Sequence, residues 1–247
     1  MPDIELNGYR HHYEEVGSGT PLIFLASTRF DSAKSWVAHM QANAAGFRVI
    51  MPDVRGMADS EHTFDVEPDT WVEDLAAFLD RLGLDVVHLA AETLGSRIIT
   101  RFAHDHPERV KSLSLNAVIA YSEPSGDEHR RKQADPANIT PEARERLRSY
   151  HGEDALDVNR FYVELHGRAD YHAFYDLRPL APKVAAPVLL LRGDVDEPQH
   201  PVSHSVDLHG LFPNSRLQIF AGTEFSAMKR RPAESWALIR ALAEGKL

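Results

Sequence analysis

A threonine hydroxyl lies at a point of the chain where it could act as a nucleophile. Thr93 stands between Asp85–Ala90, an apolar segment typical of a buried strand, and Leu94–His106, whose apolar periodicity is typical of a helix. A tight turn from a strand into a helix exposes its side chain at the edge of a sheet. The hydroxyl attacks a carbonyl carbon only if a base takes its proton and N–H groups bind the oxyanion. This chemistry also needs an acid that orients the base.

Strand and helix patterns alternate along most of the chain, which predicts a doubly wound, mostly parallel α/β sheet. A hairpin is predicted from Ile4–Leu6 and Tyr9–Glu15, around Asn7 and Gly8. The further predicted strands are Pro21–Ala26, Arg48–Pro52, Asp85–Ala90, Val110–Leu115, Pro187–Arg192 and Ser215–Phe220. The predicted helices are Ala33–Asn43, Glu67–Arg81, Leu94–His106, Val202–Leu211 and Pro232–Ala243.

One long segment, 121–182, interrupts this alternation. It is polar and rich in Arg and Glu, with helical patches at Pro141–Tyr150 and Asp157–His166. Because the interruption falls between two strands of one sheet, we expect a helical lid over the carboxyl edge of that sheet, where ligands bind in open α/β folds. The predicted organisation is a core of residues 1–120 and 183–247, with residues 121–182 as the inserted lid.

Three motifs give the chain a resemblance to the α/β-hydrolase superfamily over nearly its whole length. Asp53–Ser60 reads Asp-Val-Arg-Gly-Met-Ala-Asp-Ser and is similar to the superfamily's Asp-x-Arg-Gly-x-Gly-x-Ser turn. His106–Val110 and Gly193–Asp196 are similar to two further segments of the family. The resemblance implies the α/β-hydrolase fold with a helical lid, a nucleophile at Thr93 and the acid at Asp196.

The chain departs from the family pattern most clearly at the base. The resemblance places a histidine in the loop after the final strand, and counting back from Pro232 puts Phe225 there. No histidine follows His209. The nucleophile position holds Thr93, whose β-branched side chain costs more than serine in a strained turn, of order 1–3 kcal/mol. The chain is therefore identified as a divergent member that lacks the usual Ser-His-Asp triad.

Other residues could supply the missing functions, and the catalytic candidates are Thr93, Asp196, Arg29 and Glu224. Glu224 could be the base, because a dry pocket raises the pKa of a carboxylate. Arg29 could stabilise a carboxylate, phenolate or enolate. The backbone N–H groups of Thr28 and Leu94 could bind an oxyanion, and His200, His166 or His172 could replace Glu224 as the base. The residues expected around the pocket are Ser27, Thr28, Leu94, Phe225, Trp36, Tyr162, His166 and His200.

Each candidate also has a structural interpretation. Thr93 could cap the following helix, Asp196 could be a turn residue, and Arg29 could be a surface arginine paired with Asp31. Single histidines are more often surface or packing residues than catalytic ones. The 14 histidines include no complete set with metal-ligand spacing, so no metal site is predicted.

The excess of acidic side chains indicates which classes of binding partner to expect. With 27 basic and 37 acidic side chains the formal net charge is −10, so we expect a small-molecule substrate and no binding to nucleic acid or membrane. The chain has no cysteine and no glycine-rich phosphate loop, so we expect no thiolate chemistry and no cofactor. No signal peptide pattern is visible, and no apolar run approaches the roughly 20 residues of a membrane span, so we expect a cytoplasmic protein. The sequence leaves the oligomeric state, including a homodimer, open.

Three functions fit a scaffold on which the nucleophile, the base and the oxyanion loop are all altered. The first, which we favour at this point, is a non-hydrolytic, cofactor-independent enzyme of lyase, cyclisation or C–C bond-forming type. It would act on a small hydrophobic, aromatic or polyketide-like natural-product intermediate. The second is a catalytically dead ligand-binding or receptor-like protein. The third is a hydrolase that uses Thr93 as its nucleophile.

Overall fold

The structure, a computed structural model, describes residues 2–26, 29–135 and 137–247. The strands are β1 Asp3–Leu6, β2 Tyr9–Gly17, β3 Thr20–Leu25, β4 Phe47–Pro52, β5 Val87–Glu92, β6 Val110–Asn116, β7 Val188–Gly193 and β8 Ser215–Phe220. They form one eight-stranded sheet in the order β1-β2-β4-β3-β5-β6-β7-β8. The pairs β1–β2 and β2–β4 are antiparallel, and every other neighbouring pair is parallel.

Helices connect the parallel strands, as a parallel sheet requires. They are α1 Ala33–Asn43, α2 Thr70–Arg81, α3 Leu94–Asp105, α4 Pro124–Ala134, α5 Pro141–His151, α6 Ala155–Leu165, α7 Ala169–Phe174, α8 Val202–Leu211, α9 Ala227–Arg230 and α10 Pro232–Ala243. Among the helices of the described chain, none is long and apolar enough to cross a membrane.

Two apolar cores cover the two faces of the sheet. Successive side chains of a strand point to opposite faces, and β3 divides accordingly. Ile23 and Leu25 belong to the core that includes residues of α2 and α3. Leu22 and Phe24 belong to the core that includes residues of α1 and α10. Burial on both faces explains why the central strands read as continuous apolar runs.

This architecture confirms the predicted doubly wound, mostly parallel sheet. Four helices, α4 to α7, lie between β6 and β7, which is the part of the chain where the sequence predicted an insertion. The patterns indicated α5 and most of α6 but not α4, because the residues of α4 are nearly all polar and form no apolar stripe. The division into a core and a lid at residues 121–182 stays a prediction.

A buried histidine joins the insertion to the rest of the protein. His151, the last residue of α5, accepts a hydrogen bond at Nδ1 from the Ala58 N–H, over 2.9 Å. Its Nε2 lies 2.9 Å from the carbonyl oxygen of Arg29 and therefore donates to it. Burial lowers the pKa of His151 to about 4, so the ring is neutral at physiological pH and keeps both bonds. Ala58 itself has a φ of 52°, which places this contact on a strained turn.

The variant His151→Phe tests this attachment. It keeps a ring of similar size but removes both hydrogen bonds and leaves two backbone groups unsatisfied, so we expect a loss of about 1–3 kcal/mol in the free energy of unfolding. Urea denaturation measures the loss, and limited proteolysis shows whether segment 137–182 becomes more accessible. His209→Phe is the control, because His209 lies exposed on α8. Equal stability of His151→Phe and the unmodified protein would contradict this role.

Candidate active site

Thr93 occupies a strained turn at the end of β5. Its backbone has φ 49° and ψ −110°, a left-handed conformation that costs about 1–3 kcal/mol in a non-glycine residue. The Thr93 N–H donates to the carbonyl oxygen of Asn116, over 3.0 Å. Gly95 allows α3 to begin this close to the sheet, since a Cβ there would lie 2.2 Å from the Leu25 carbonyl oxygen. Thr93 is the N-cap residue of α3, but in the described chain its side chain makes no capping hydrogen bond, so its hydroxyl is not committed to the helix.

A cavity of about 270 Å³ is lined by Thr93, Glu92 and Ile119 and by residues from four other parts of the chain. The segment before α1 contributes Arg29, Phe30 and Asp31. The insertion contributes Arg130, Arg146 and Tyr162, and the loop after β7 contributes Glu197, Gln199 and His200. The segment after β8 contributes Phe225 and Lys229. The strained turn therefore opens into a space that is large enough for a small molecule.

A histidine–carboxylate pair lies in this cavity. His200 is buried, and its Nδ1 is hydrogen-bonded to Glu197. Burial lowers the pKa of His200, although Glu197 opposes the shift, so the imidazole is neutral at physiological pH. Arg192 fixes the loop by donating to the carbonyl oxygens of His200 and Pro201, over 3.0 and 2.6 Å. A neutral imidazole with its Nδ1 proton held by a carboxylate is the form that acts as a general base through Nε2.

The ring of Phe225 supports this imidazole. The two rings are stacked with their centroids 4.5 Å apart and an angle of 6° between their planes. The loops after β7 and β8 approach closely because Gly193 has no side chain; a Cβ there would lie 2.0 Å from the carbonyl oxygen of Thr223. Phe225, at the position where the resemblance places a histidine, therefore contacts a histidine from the neighbouring loop.

Two buried carboxylates, Asp31 and Glu92, and the partly exposed Lys229 lie next to Thr93. Glu92 accepts a hydrogen bond from the Ser226 hydroxyl over 3.0 Å. The Lys229 ammonium lies 2.6 Å from an Asp31 oxygen and 3.8 Å from a Glu92 oxygen. Burial raises the pKa of Glu92 to about 7, against the opposing effect of Lys229. Burial alone would lower the pKa of Lys229, but the two carboxylates raise it, so the ammonium stays charged.

The structure brings five of the predicted site residues into the cavity, namely Thr93, Arg29, Tyr162, His200 and Phe225. Asp31, which the sequence offered as a partner of Arg29, is paired with Lys229.

Two predicted catalytic residues do not line the cavity. Asp196 is exposed, and its Oδ1 accepts the Val202 N–H at the start of α8, over 2.6 Å. A carboxylate there stabilises the first turn of the helix. Glu224 is exposed and forms a 2.6 Å ion pair with Arg230. The structure therefore does not bring these two side chains together with Thr93 in the cavity.

The remaining predicted pocket residues lie behind or beside the cavity wall. Trp36 is buried with its ring 4.8 Å from the Lys229 ammonium. His166 is buried and stacks on Tyr162 with the ring centroids 4.0 Å apart. Leu94 is the first residue of α3. Ser27 and Thr28 lie outside the described residues.

Sequence reasoning missed several residues of the cavity wall. Glu92 precedes Thr93 on a strand that is buried throughout, and an acidic residue in such a strand signals a buried partner. Glu197 lies three residues before His200, a spacing that could have indicated the pair. Arg130 and Arg146 come from polar helices whose sequences carry no signal of which residues face a cavity.

One group of potential metal ligands occurs among the described residues. Ligand atoms of His12, Asp53 and Asp59 lie within 4.8 Å of one another. Asp53 also accepts the Ala33 N–H at 2.8 Å, at the start of α1, which is a structural role. None of the three lines the cavity with Thr93.

The variant Glu92→Gln tests the charge state of this site. In the unfolded chain the carboxyl ionises near its ordinary value of 4.5, whereas in the folded protein it ionises near 7. Its contribution to stability is therefore present below pH 4.5 and is lost as the pH rises through 7. We expect Glu92→Gln to match the unmodified protein near pH 4.5 and to exceed it by about 2–4 kcal/mol near pH 8.5.

Urea denaturation across this range measures the difference. Glu224→Gln is the control and should show no such trend, because Glu224 is exposed. A constant difference between Glu92→Gln and the unmodified protein at every pH would contradict the raised pKa.

Part of the chain is similar in sequence to curated epoxide hydrolases and to a semialdehyde hydrolase. The chain is 33% identical over 123 residues to a soluble epoxide hydrolase from Corynebacterium sp. strain C12, covering 49% of this chain and 43% of the relative. It is 31% identical over 126 residues to a 2-hydroxymuconate semialdehyde hydrolase from Pseudomonas sp. strain CF600, covering 49% and 44%. The alignments thus span less than half the length of either curated relative.

Solved structures share the fold across the whole chain. A bacterial membrane phospholipase A has a TM-score of 0.82 at 23% identity, covering 99% of this chain and 86% of that one. A meta-cleavage product hydrolase from Pseudomonas fluorescens IP01 has a TM-score of 0.77 at 17% identity, covering 99% and 98%. An enol-lactonase from Burkholderia xenovorans LB400 has a TM-score of 0.71 at 20% identity, covering 98% and 99%.

These comparisons overturn the function that the sequence favoured. A non-hydrolytic enzyme of lyase, cyclisation or C–C bond-forming type was expected because the usual residues are replaced. The curated relatives are epoxide hydrolases and a semialdehyde hydrolase, so they point to hydrolase activity. The earlier expectation was wrong because it treated altered residue types as lost functions, although a side chain from another loop can supply the same group.

The sequence model of the α/β hydrolase fold matches residues 21–156, more than half of the chain. This match agrees with the mostly parallel sheet and with the strained turn at Thr93. The chain belongs to the α/β hydrolase fold family.

Proposed function

We propose that this protein is a hydrolase that cleaves a carboxylic ester through an acyl-enzyme on Thr93. In this proposal His200 is the general base and Glu197 is the carboxylate that orients it. The observation that carries the proposal is the pairing of His200 with Glu197 in the cavity that Thr93 also lines. The names of the curated relatives support hydrolysis as the class of reaction.

The proposed reaction has two steps. Thr93 Oγ1 attacks the ester carbonyl carbon, and its proton passes to His200 Nε2 while the Nδ1 proton stays bonded to Glu197. The oxyanion accepts a hydrogen bond from the Leu94 N–H, which is free at the first turn of a helix. The ester C–O bond breaks as His200 returns the proton to the leaving alcohol. Water then attacks the acyl group, with His200 again acting as the base, and the carboxylic acid and Thr93 are released.

In this account the usual Ser-His-Asp triad is absent and a different set replaces it. Thr93 stands at the position of the serine, Phe225 stands at the position of the histidine, and Asp196 stabilises the start of α8. The imidazole comes from the loop after β7 instead of the loop after β8. Its stacking on Phe225 supports this relocation, because it keeps the imidazole beside the position that the histidine would occupy.

We also propose that helices α4 to α7 act as a lid, with residues 121–182 as a unit distinct from the core. Arg130, Arg146 and Tyr162 lie on these helices and line the cavity. A small molecule fits a cavity of this size, and the net charge of −10 argues against nucleic acid as a partner.

Hydrolysis of p-nitrophenyl butyrate by single variants tests the proposal. Thr93→Ala should abolish turnover, and His200→Gln should lower kcat by about 10²–10⁴, the range for a lost general base. Thr93→Ser should retain activity, since it keeps the hydroxyl. Glu224→Gln is the matched control and should leave kcat unchanged, because its side chain lies outside the cavity. Turnover that survives Thr93→Ala, or that is lost in Glu224→Gln, would contradict the proposal.

The pH profile of kcat/KM tests whether Glu197 orients the proposed base or only stabilises the loop. Because burial lowers the pKa of His200, the acidic limb of kcat/KM should lie below pH 6.5, the ordinary value for histidine. Glu197 opposes this shift, so Glu197→Gln should move the limb to still lower pH and reduce kcat. A limb that stays in place in Glu197→Gln would show that Glu197 does not orient the base.

A further inference from the structure

Arginines are concentrated on one side of the cavity and behind its wall. Arg29 and Arg130 line the cavity although their side chains are almost fully buried, with 4% and 5% exposure. Arg97, 2% exposed, donates from Nε to the carbonyl oxygen of Ile119, a residue of the cavity wall, over 2.7 Å. Arg146 lies in the wall on α5. In a protein of net charge −10, such a local excess of cations is unusual.

The ion pairs of the described residues leave Arg97 and Arg146 without a carboxylate partner. Asp127 pairs with Arg130 over 2.8 Å. In the part of the chain that the structure describes, no carboxylate lies within 4.0 Å of the side-chain nitrogens of Arg97 or Arg146. The acidic residues of the cavity are committed elsewhere: Asp31 and Glu92 to Lys229, and Glu197 to His200.

The charge of Arg130 disfavours the charged forms of Arg29 and Arg97. Burial lowers the pKa of Arg29, and the nearby charge of Arg130 lowers it further. Burial also lowers the pKa of Arg97, and the charge of Arg130 lowers it further. Like charges that are held together in a buried region favour the entry of an anion, which relieves their repulsion.

An aromatic ring holds two of these cations at the wall. The guanidinium carbon of Arg29 lies 4.5 Å from the centroid of the Phe30 ring, and that of Arg146 lies 5.0 Å from the same centroid. Stacking on an aromatic face orients a guanidinium without using its N–H donors. The donors of Arg146 therefore remain available to a ligand.

We propose that Arg29, Arg130 and Arg146 form an anion subsite, and that the substrate is an ester that carries a second, ionised carboxylate. Planar guanidinium groups match a carboxylate through paired hydrogen bonds. This inference rests on the proposed hydrolase function, because it names the substrate class of the same site. The subsite would bind the free carboxylate and direct the ester carbonyl toward Thr93.

Two substrates that differ by one methyl group test the inference. Mono-p-nitrophenyl glutarate carries a free carboxylate, and its methyl ester does not, while both release the same p-nitrophenolate. We expect kcat/KM to be at least 10-fold higher for the anionic substrate, and this preference to fall as KCl is raised, since salt screens an exposed cation such as Arg146.

The variant Arg146→Gln should lower this preference at least 10-fold, because kcat/KM should fall much more for the anionic ester than for the methyl ester. Arg148→Gln is the matched control, because Arg148 is exposed on the same helix and does not line the cavity. Arg146 is also exposed, so Arg146→Gln should fold normally. Equal rates with both substrates would overturn the anion subsite and leave the hydrolase proposal standing.

A binding measurement separates failure of the subsite from failure of the hydrolase function. If neither ester is cleaved, the hydrolase proposal fails, and calorimetric titration with glutarate and with neutral glutaramide decides on the subsite alone. Binding of glutarate but not glutaramide, weakened at least 10-fold in Arg146→Gln, supports the subsite. Equal binding of the two compounds, or binding of neither, overturns it.

Discussion

The left-handed backbone of Thr93 is the constraint on which the rest of the site depends. The turn holds a β-branched residue at φ 49°, and the close packing of α3 on β3 keeps it there, because Gly95 has no side chain that would separate them. The hydrogen bond from the Thr93 N–H to β6 fixes the other side of the turn. Thr93 lines the cavity, and its side chain makes no capping hydrogen bond to the helix that follows. The strain stays local because the surrounding sheet is buried and regular.

The charged and titratable side chains of the cavity form three groups at different places in its wall. Near Thr93, Lys229 lies between Asp31 and Glu92, so its charge is neutralised. At the loop after β7, His200 and Glu197 form a pair whose imidazole is neutral. Toward the insertion, the arginines predominate. This separation would let one small cavity hold the proposed base and the proposed anion subsite without one neutralising the other.

The fold was predictable from the sequence, whereas much of the site was not. The apolar runs of the strands and the turn at Asp53–Ser60 act locally, so their patterns are visible in the sequence. The position of Thr93 followed from the same local signals. The His200 pair was harder to predict, because a loop has no periodicity that tells which side chain points inward. Phe225 at the position of the family's histidine indicated that a base would have to come from elsewhere, but not from which residue.

The helices of the insertion and the carboxylates of the site were also hard to predict from the sequence. Helix α4 is nearly all polar, so no apolar stripe identified it as a helix or showed which face meets the cavity. Asp196 and Glu224 were placed in the site because they flank the right positions in the sequence. Local contacts, six residues along the chain in both cases, hold Asp196 at the start of α8 and Glu224 against Arg230, outside the cavity. Position along the sequence therefore predicted which loops form the site. It did not predict which carboxylates line the cavity.

Covalent labelling with a fluorophosphonate tests most directly whether Thr93 is an activated nucleophile. Intact mass after incubation should show one adduct per chain, and peptide mapping should locate it on Thr93. The adduct should be absent in Thr93→Ala and should form more slowly in His200→Gln. A folded protein that gains no adduct, or that carries it on another residue, would contradict the account.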